Sequence, residues 1–238
     1  MINITTATLV QFGEEQHQQF MAQGYLSLGK ILDAAALAAL QQRIDAIMLG
    51  KIPYPNMYFQ LDGATGAYAN LPPDSPGHKG ASLAYRRITG LEEDPIFLAY
   101  IQYPLIHQIT QRYIGADVSI FRAMFMNKPA QQGTVLPWHQ DIGEGWGLDR
   151  NPIITIWTAL DDATVANGCM QIVPGSHQLG VLNAQHFVTA ADQAKYTQDN
   201  AVIDLEVAAG EAVLLHNFLL HRSGVNKTSA PRRAFSTA

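Results

Sequence analysis

Gly115 divides this chain into two kinds of text, and the division limits what it can fold into. After it come six runs rich in β-branched and aromatic residues, Val118–Met126, Thr134–Gln140, Ile153–Leu160, Cys169–Val173, Val202–Val207 and Glu211–Phe218, separated by Gly, Pro, Asn and Asp. Before it, apolar residues recur at helical spacing. Asp33 is placed to cap a helix in which Leu37, Leu40, Ile44 and Met48 form one buried stripe and which Gly50 can end. Asp94-Pro95 reads as another helix start, and Pro104 splits the apolar segment that runs to Ile114 into two short helices. Helices followed by strands point to helices packed against antiparallel sheet, not to an alternating parallel sheet, and a two-sheet jelly roll is the economical closed form. The expected class is α+β, mainly β.

The 238 residues, 47% of them hydrophobic, suffice for one domain with a substantial core. Residues 1–114 are expected to be helical support and a lid loop, and 115–238 the jelly-roll core. The lid is Ile52–Gly80, a long aperiodic stretch of Pro, Gly, Asn and Asp whose aromatics Tyr54, Tyr58, Phe59 and Tyr68 speak against disorder. A net charge of −5 without runs of like charge leaves no electrostatic footprint for nucleic acid or an anionic membrane surface. The start lacks a basic region followed by an apolar stretch, and no apolar run suits a bilayer. Cys169 is the single cysteine, so no internal disulfide can form. A soluble cytoplasmic protein, able to work as a monomer, is expected.

The chemistry concentrates in Trp138-His139-Gln140-Asp141. His139 and Asp141 lie two apart on what reads as a strand end, so both side chains leave the same face. His221, just after an apolar strand near the C-terminus, offers a third ligand, and two imidazoles with one carboxylate form the facial triad that suits iron(II) in oxygen chemistry. Zinc binds such ligands too, and with eight histidines in the chain a lone His-x-Asp is weak evidence. The open positions on such an ion can be filled by O₂ and the 2-oxo acid end of 2-oxoglutarate. The far carboxylate of 2-oxoglutarate then needs a cation, and Arg232 or Arg233 in the next strand can supply the fork; spacing alone does not say which points inward.

Five stretches carry a resemblance to the phytanoyl-CoA dioxygenase family of 2-oxoglutarate oxygenases. They are Asn127-Lys128-Pro129; Trp138-His139-Gln140-Asp141; Trp157-Thr158-Ala159 with Asn167-Gly168-Cys169; Pro174-Gly175-Ser176-His177; and His221-Arg222-Ser223-Gly224-Val225-Asn226-Lys227-Thr228 leading to Arg232. Their order and spacing match over roughly residues 85–237. The resemblance implies a double-stranded β-helix, a cupin-like jelly roll, with iron held by His139, Asp141 and His221. It selects Arg232 over Arg233 for the distal carboxylate, and implies that Ser223, Trp157, Met124 and Arg87 contact 2-oxoglutarate. The family usually has Gly where this chain has Arg222. The sequence ends six residues after Arg232, where relatives commonly continue, so either a short last strand or a trimmed sequence is expected.

Plainer readings compete at several positions. His216 is five residues before His221 and faces the other side of a regular strand, which suits packing. His177 follows a Pro-Gly turn and suits a structural role. Trp146, beside the metal motif, is a substrate contact or a loop anchor; Arg86 and Phe59 are further candidate substrate contacts. The walls are expected from Ile52–Gly80, the loop after Asp141 and Leu179–Asn200.

The expected function is hydroxylation of a small metabolite or natural product with iron(II), 2-oxoglutarate and O₂. Desaturation, cyclisation or demethylation with the same cofactors is the alternative. Asp141 speaks against the family's halogenating branch, where a small residue replaces the carboxylate. No basic cluster supports a coenzyme A thioester. A non-catalytic cupin-like metal-binding module and a metal hydrolase are the competing classes.

Overall fold

Local sequence starts the helices where expected. Asp33 Oδ1 accepts from the Ala36 amide at 2.8 Å, capping α2 (Ala34–Met48), whose Leu40, Ile44 and Ile47 are fully buried. Asp94 caps α3 (Pro95–Ile101) through the Ile96 and Phe97 amides, with Pro95 in the first turn. Pro104 opens α4 (Pro104–Tyr113). A preceding helix, α1 (Glu14–Gln23), contributes Phe20 to the core. The computed structural model describes residues 12–143, 153–198 and 201–238; Trp146 therefore lies outside the described residues.

The strands form two antiparallel sheets. In chain order they are β1 (Tyr25–Lys30), β2 (Tyr58–Leu61), β3 (Ser75–Pro76), β4 (Tyr85–Thr89), β5 (Ala123–Lys128), β6 (Leu136–His139), β7 (Ile154–Ala159), β8 (Met170–Ile172), β9 (Ile203–Leu205), β10 (Glu211–His216), β11 (His221–Ser223) and β12 (Arg232–Thr237), with α5 (Ala190–Tyr196) before β9. The larger sheet runs β1-β10-β7-β12-β5-β4-β2-β3 and the smaller β6-β11-β8-β9. From β5 onward, strands drawn from along the chain interleave in both sheets, giving the double-stranded β-helix. The last strand is a full one: all six residues of β12 pair with β5, and four also pair with β7.

Two departures from the sequence reading concern the first 114 residues. They supply four strands as well as helices, and Ile52–Gly80 is not a lid free of structure. Its β2 and β3 extend the edge of the larger sheet, with Met57 and Phe59 buried. Short strands set among Pro, Gly and Asn carry little periodicity, so the sheet partner defines them rather than the local pattern.

Both faces of the larger sheet are covered, and the alternation of its strands sorts residues between two clusters. Ile154 and Ile156 of β7, Leu214 of β10 and Phe235 of β12 pack outward against α1 to α4. Trp157, Val213, Leu215 and Ala234 face inward toward Met170, Ile172 and Leu205 of the smaller sheet. The mouth between the sheets is where the site forms.

Candidate metal and cosubstrate site

β6 and β11 lie side by side with His139 directly opposite His221, and the two rings stand 4.0 Å apart between centroids. Asp141 follows β6, its amide bonded to the Asn217 carbonyl at 2.7 Å. Between them Gln140 turns away, its amide donating to the Gly180 and Phe218 carbonyls and its oxygen accepting from the Leu182 amide. Alternation therefore sends His139 and Asp141 into the mouth while Gln140 braces the strand end.

The imidazoles are set as ligands. His139 Nδ1 lies 2.7 Å from the Pro137 carbonyl and His221 Nδ1 2.9 Å from the Leu219 carbonyl. A carbonyl only accepts, so both Nδ1 atoms carry the proton and both Nε2 atoms keep a lone pair for a metal. His139 Nε2 is 3.8 Å from Asp141 Oδ1, and His221 Nε2 is 3.8 Å from Asp141 Oδ2. Two bonds of about 2.1 Å to one ion span donors no more than about 4.2 Å apart, so both pairs fit a shared ion. Burial, with His221 and His186 nearby, holds His139 well below the usual imidazole range, in the neutral form that ligates. Arg122 Nη2 approaches Asp141 Oδ1 at 3.9 Å.

A third imidazole enters the cluster. Side-chain donors of His139, Asp141 and His186 also lie within 4.8 Å of one another. His186 sits at φ 80, a conformation that costs a non-glycine residue energy, and its Nδ1 is 3.1 Å from the Ile142 carbonyl. His221 remains the stronger ligand candidate, because paired strands hold it opposite His139 whereas His186 rides on a loop. Nothing local in Gln185-His186-Phe187 signals this placement; it comes from the fold of the segment named as a wall.

Across the cavity the choice between the two arginines is made by alternation. Arg232 is 3% exposed and its guanidinium lies 5.7 Å from the Trp157 ring centre, yet its Nε and Nη1 have no partner. Arg233 faces the other way, forked on Asp161 and bonded to Asp45 Oδ1 at 2.6 Å. Burial pulls Arg232 down to about 10, which leaves it cationic at neutral pH. A buried, unpaired guanidinium costs free energy until an anion reaches it, and a carboxylate matches its fork.

Met124, Trp157, Ser223, Arg86 and Arg87 line the same cavity as the His-Asp cluster. Arg87, however, is engaged with Asp74 at 2.5 Å. Phe59 does not line it: at 1% exposed it packs edge-on against His78 and Tyr85 on the outer face of the sheet, which corrects its reading as a substrate contact. His177 donates through Nε2 to the Met21 carbonyl and so ties the Pro-Gly turn to α1, while His216 stacks on Phe20. Lys128, quoted in sequence only as part of Asn127-Lys128-Pro129 and given no site role, lines the cavity and donates to the Thr134 carbonyl at 2.7 Å. The sequence reading missed the basic cluster: Arg86, Arg87, Arg122, Lys128, Arg222 and Arg232 converge here from distant positions, so net charge gave no hint of them.

The fold is shared with solved proteins. EctD from S. alaskensis, crystallised with 2-oxoglutarate and 5-hydroxyectoine, superposes with a TM-score of 0.76 at 18% identity, over 99% of this chain and 78% of that one. SnoK, a non-haem alpha-ketoglutarate-dependent carbocyclase from nogalamycin biosynthesis, gives 0.70 at 20% identity over 98% and 85%. On this fold, two imidazoles and a carboxylate facing a buried arginine define a class, the iron(II)- and 2-oxoglutarate-dependent dioxygenases. Sequence then gives the family: the profile described as Phytanoyl-CoA dioxygenase (PhyH) matches residues 20–234, and the chain belongs to that family. A probable phytanoyl-CoA dioxygenase of Caenorhabditis elegans is 27% identical over 93% of this chain and 73% of its own length. The peroxisomal phytanoyl-CoA dioxygenase of Bos taurus is 27% identical over 63% of this chain and 48% of its own.

Proposed function

We propose that the protein hydroxylates an unactivated C–H bond of a small metabolite, consuming 2-oxoglutarate and O₂ and releasing succinate and CO₂. The observation that carries this reading is Arg232, buried with two unpartnered guanidinium nitrogens in the cavity that also holds His139, Asp141 and His221. A protein that bound metal for structure alone would gain nothing from such a group. Among the described residues Asp141 is the only carboxylate lining the cavity, so a hydrolase there would have to use His186 as its general base, and neither group would account for Arg232.

His139, Asp141 and His221 would hold iron(II), and Arg232 would fork onto the distal carboxylate of 2-oxoglutarate, with Trp157, Met124 and Ser223 as its walls. When bound, the iron and 2-oxoglutarate supply the oxidation of a C–H bond by O₂. The chain's own part is positional: backbone carbonyls fix both imidazole tautomers, Arg122 supports the Asp141 carboxylate, and the apolar walls limit water. Asp141 keeps a carboxylate where chloride would have to bind in a halogenating enzyme. Arg87, committed to Asp74, is not carried forward as a cosubstrate contact.

The cavity is concave and open at its mouth, so a small molecule can reach the His-Asp cluster from solvent. The test is incubation with metabolite pools under labelled O₂. The expected product gains one labelled oxygen and appears in step with succinate. Labelled succinate with a desaturated or cyclised product would replace hydroxylation by those outcomes. A strong preference for an acyl-CoA over its free acid would overturn the small-metabolite reading.

A further inference from the structure

The walls of the cavity say something about the charge of what it binds. β4 carries a bulge: Gln60 pairs with Arg87 and Leu61 with Tyr85, so Arg86 is the extra residue. In a regular strand Arg86 and Arg87 would leave opposite faces; the bulge lets both line the cavity. Arg86 is held there from two sides. Its Nη1 donates to Gln60 Oε1 at 3.0 Å, while Gln60 Nε2 donates to the Pro72 carbonyl and so fixes the amide. Its guanidinium lies 5.2 Å from the centre of the Tyr68 ring. Among the described residues no carboxylate lies within ion-pair distance of it.

Its position relative to the metal cluster is defined by ring contacts. Tyr68 meets Phe187 edge-on at 5.0 Å, and Phe187 stands 6.0 Å from the His139 ring. Arg86 is thus two aromatic rings away from a metal ligand, along one continuous wall. Lys128 lines the cavity too; burial, Arg232 and Arg86 oppose its charged form, and Asp62 favours it. On the reading above, Asp141 and 2-oxoglutarate carry three negative charges, offset by iron(II) and Arg232. Asp74 neutralises Arg87. Arg86 is then left half-buried with no carboxylate in contact and only the longer-range pull of Asp62 and Asp74 on its charge, an arrangement that favours an anion against it.

We infer that the substrate is an anion, and that its carboxylate or phosphate group seats on Arg86 beside Tyr68 while a C–H bond several atoms away faces the His139–Asp141–His221 cluster. This rests on the dioxygenase reading. A neutral or cationic molecule would leave Arg86 unpaired and would meet the positive wall unfavourably. Gln60 and Tyr68 act as positioning residues, holding the guanidinium in a fixed plane.

The test uses the anaerobic protein loaded with iron(II) and 2-oxoglutarate, and a size-matched panel of carboxylates, phosphate monoesters, neutral amides and amines, read by calorimetry and thermal shift. The expected binders are anions, with dissociation constants raised at least tenfold in Arg86→Gln and partly restored in Arg86→Lys. The affinity for 2-oxoglutarate should stay within twofold of wild type in both variants. The carboxylate and phosphate arms show which anion is preferred. Neutral amides binding as well as their acids, anion binding indifferent to Arg86→Gln, or no anion binding at millimolar concentration would each overturn the inference. Failure of the wild type to bind 2-oxoglutarate would instead overturn the dioxygenase reading.

Discussion

Single residues here do their work through what their neighbours leave open. Carbonyls at Pro137 and Leu219 accept from the Nδ1–H groups of His139 and His221, which leaves each Nε2 lone pair available to a metal. His186 stands close enough to compete, so it separates two accounts of the metal. His186→Ala is expected to keep iron binding within about threefold, a loss of under about 1 kcal/mol, because the strand-borne donors remain. Iron titration of this variant checks it, and a loss as large as that of His221→Ala would make His186 the third ligand. His216 serves as the acid-sensitive group away from the metal. Burial and the adjacent His177 lower it to about 4. The unfolded chain takes up this proton near 6.5 and the folded one near 4, so the native state is favoured above about 6.5 and loses that advantage as pH falls toward 4. Denaturant midpoints across that window should fall more steeply for wild type than for His216→Gln; parallel curves would contradict the assignment. The shared face of His139 and Asp141 was legible in sequence because residues two apart on a strand end obey alternation, and His221 was picked out by its place after an apolar strand and by the family resemblance. His186 was not, since a loop residue at positive φ has no pattern to read.

Elements position these residues through a few close approaches. Gly168, at φ 76 in the turn before β8, has room for no side chain: a Cβ there would meet the Gly224 and Val225 carbonyl oxygens at 2.7 Å. That contact seats the turn against the loop leaving β11, which carries His221 and Ser223. Gly168→Ala should cost about 2 kcal/mol or more, from the left-handed backbone and the clash together, measured by chemical denaturation. A loss below about 0.5 kcal/mol would mean the turn relaxes freely. Asn226 closes the same loop, bonding the Lys128 and Ala230 carbonyls and accepting from Thr228. The motif stretches thus serve structure as much as chemistry. The strands after Gly115 were legible because their runs are rich in β-branched and aromatic residues and are bounded by Gly, Pro, Asn and Asp. The strands β1 to β4 were not, because they stand among helices and Pro-, Gly- and Asn-rich loops, where pairing with a partner strand and not local pattern defines them. Phe59 was misread with them, since without a strand there was no alternation to send it outward.

The whole molecule is arranged so that the helices stiffen one sheet and leave the mouth free. Arg233 is a principal tie in that arrangement, joining β12 to Asp161 after β7 and to Asp45 on α2. Arg233→Leu should lower stability by about 2 kcal/mol, the worth of losing hydrogen bonds to charged partners, with 2-oxoglutarate affinity unchanged. A change in that affinity with unaltered stability would reverse the roles given to the two arginines. Among the described residues no helix is long and apolar enough to cross a membrane. Net charge misled at this level, because a total of −5 conceals six basic residues gathered in one cavity. The most direct measurement needs no substrate: the visible spectrum of the anaerobic protein with iron(II) and 2-oxoglutarate. Wild type should show a weak charge-transfer band that His221→Ala abolishes. In Arg232→Ala the same band should need roughly tenfold or more 2-oxoglutarate, as loss of a charge-assisted fork of about 1.5–3 kcal/mol requires. No band in wild type at saturating iron and 2-oxoglutarate would contradict the account.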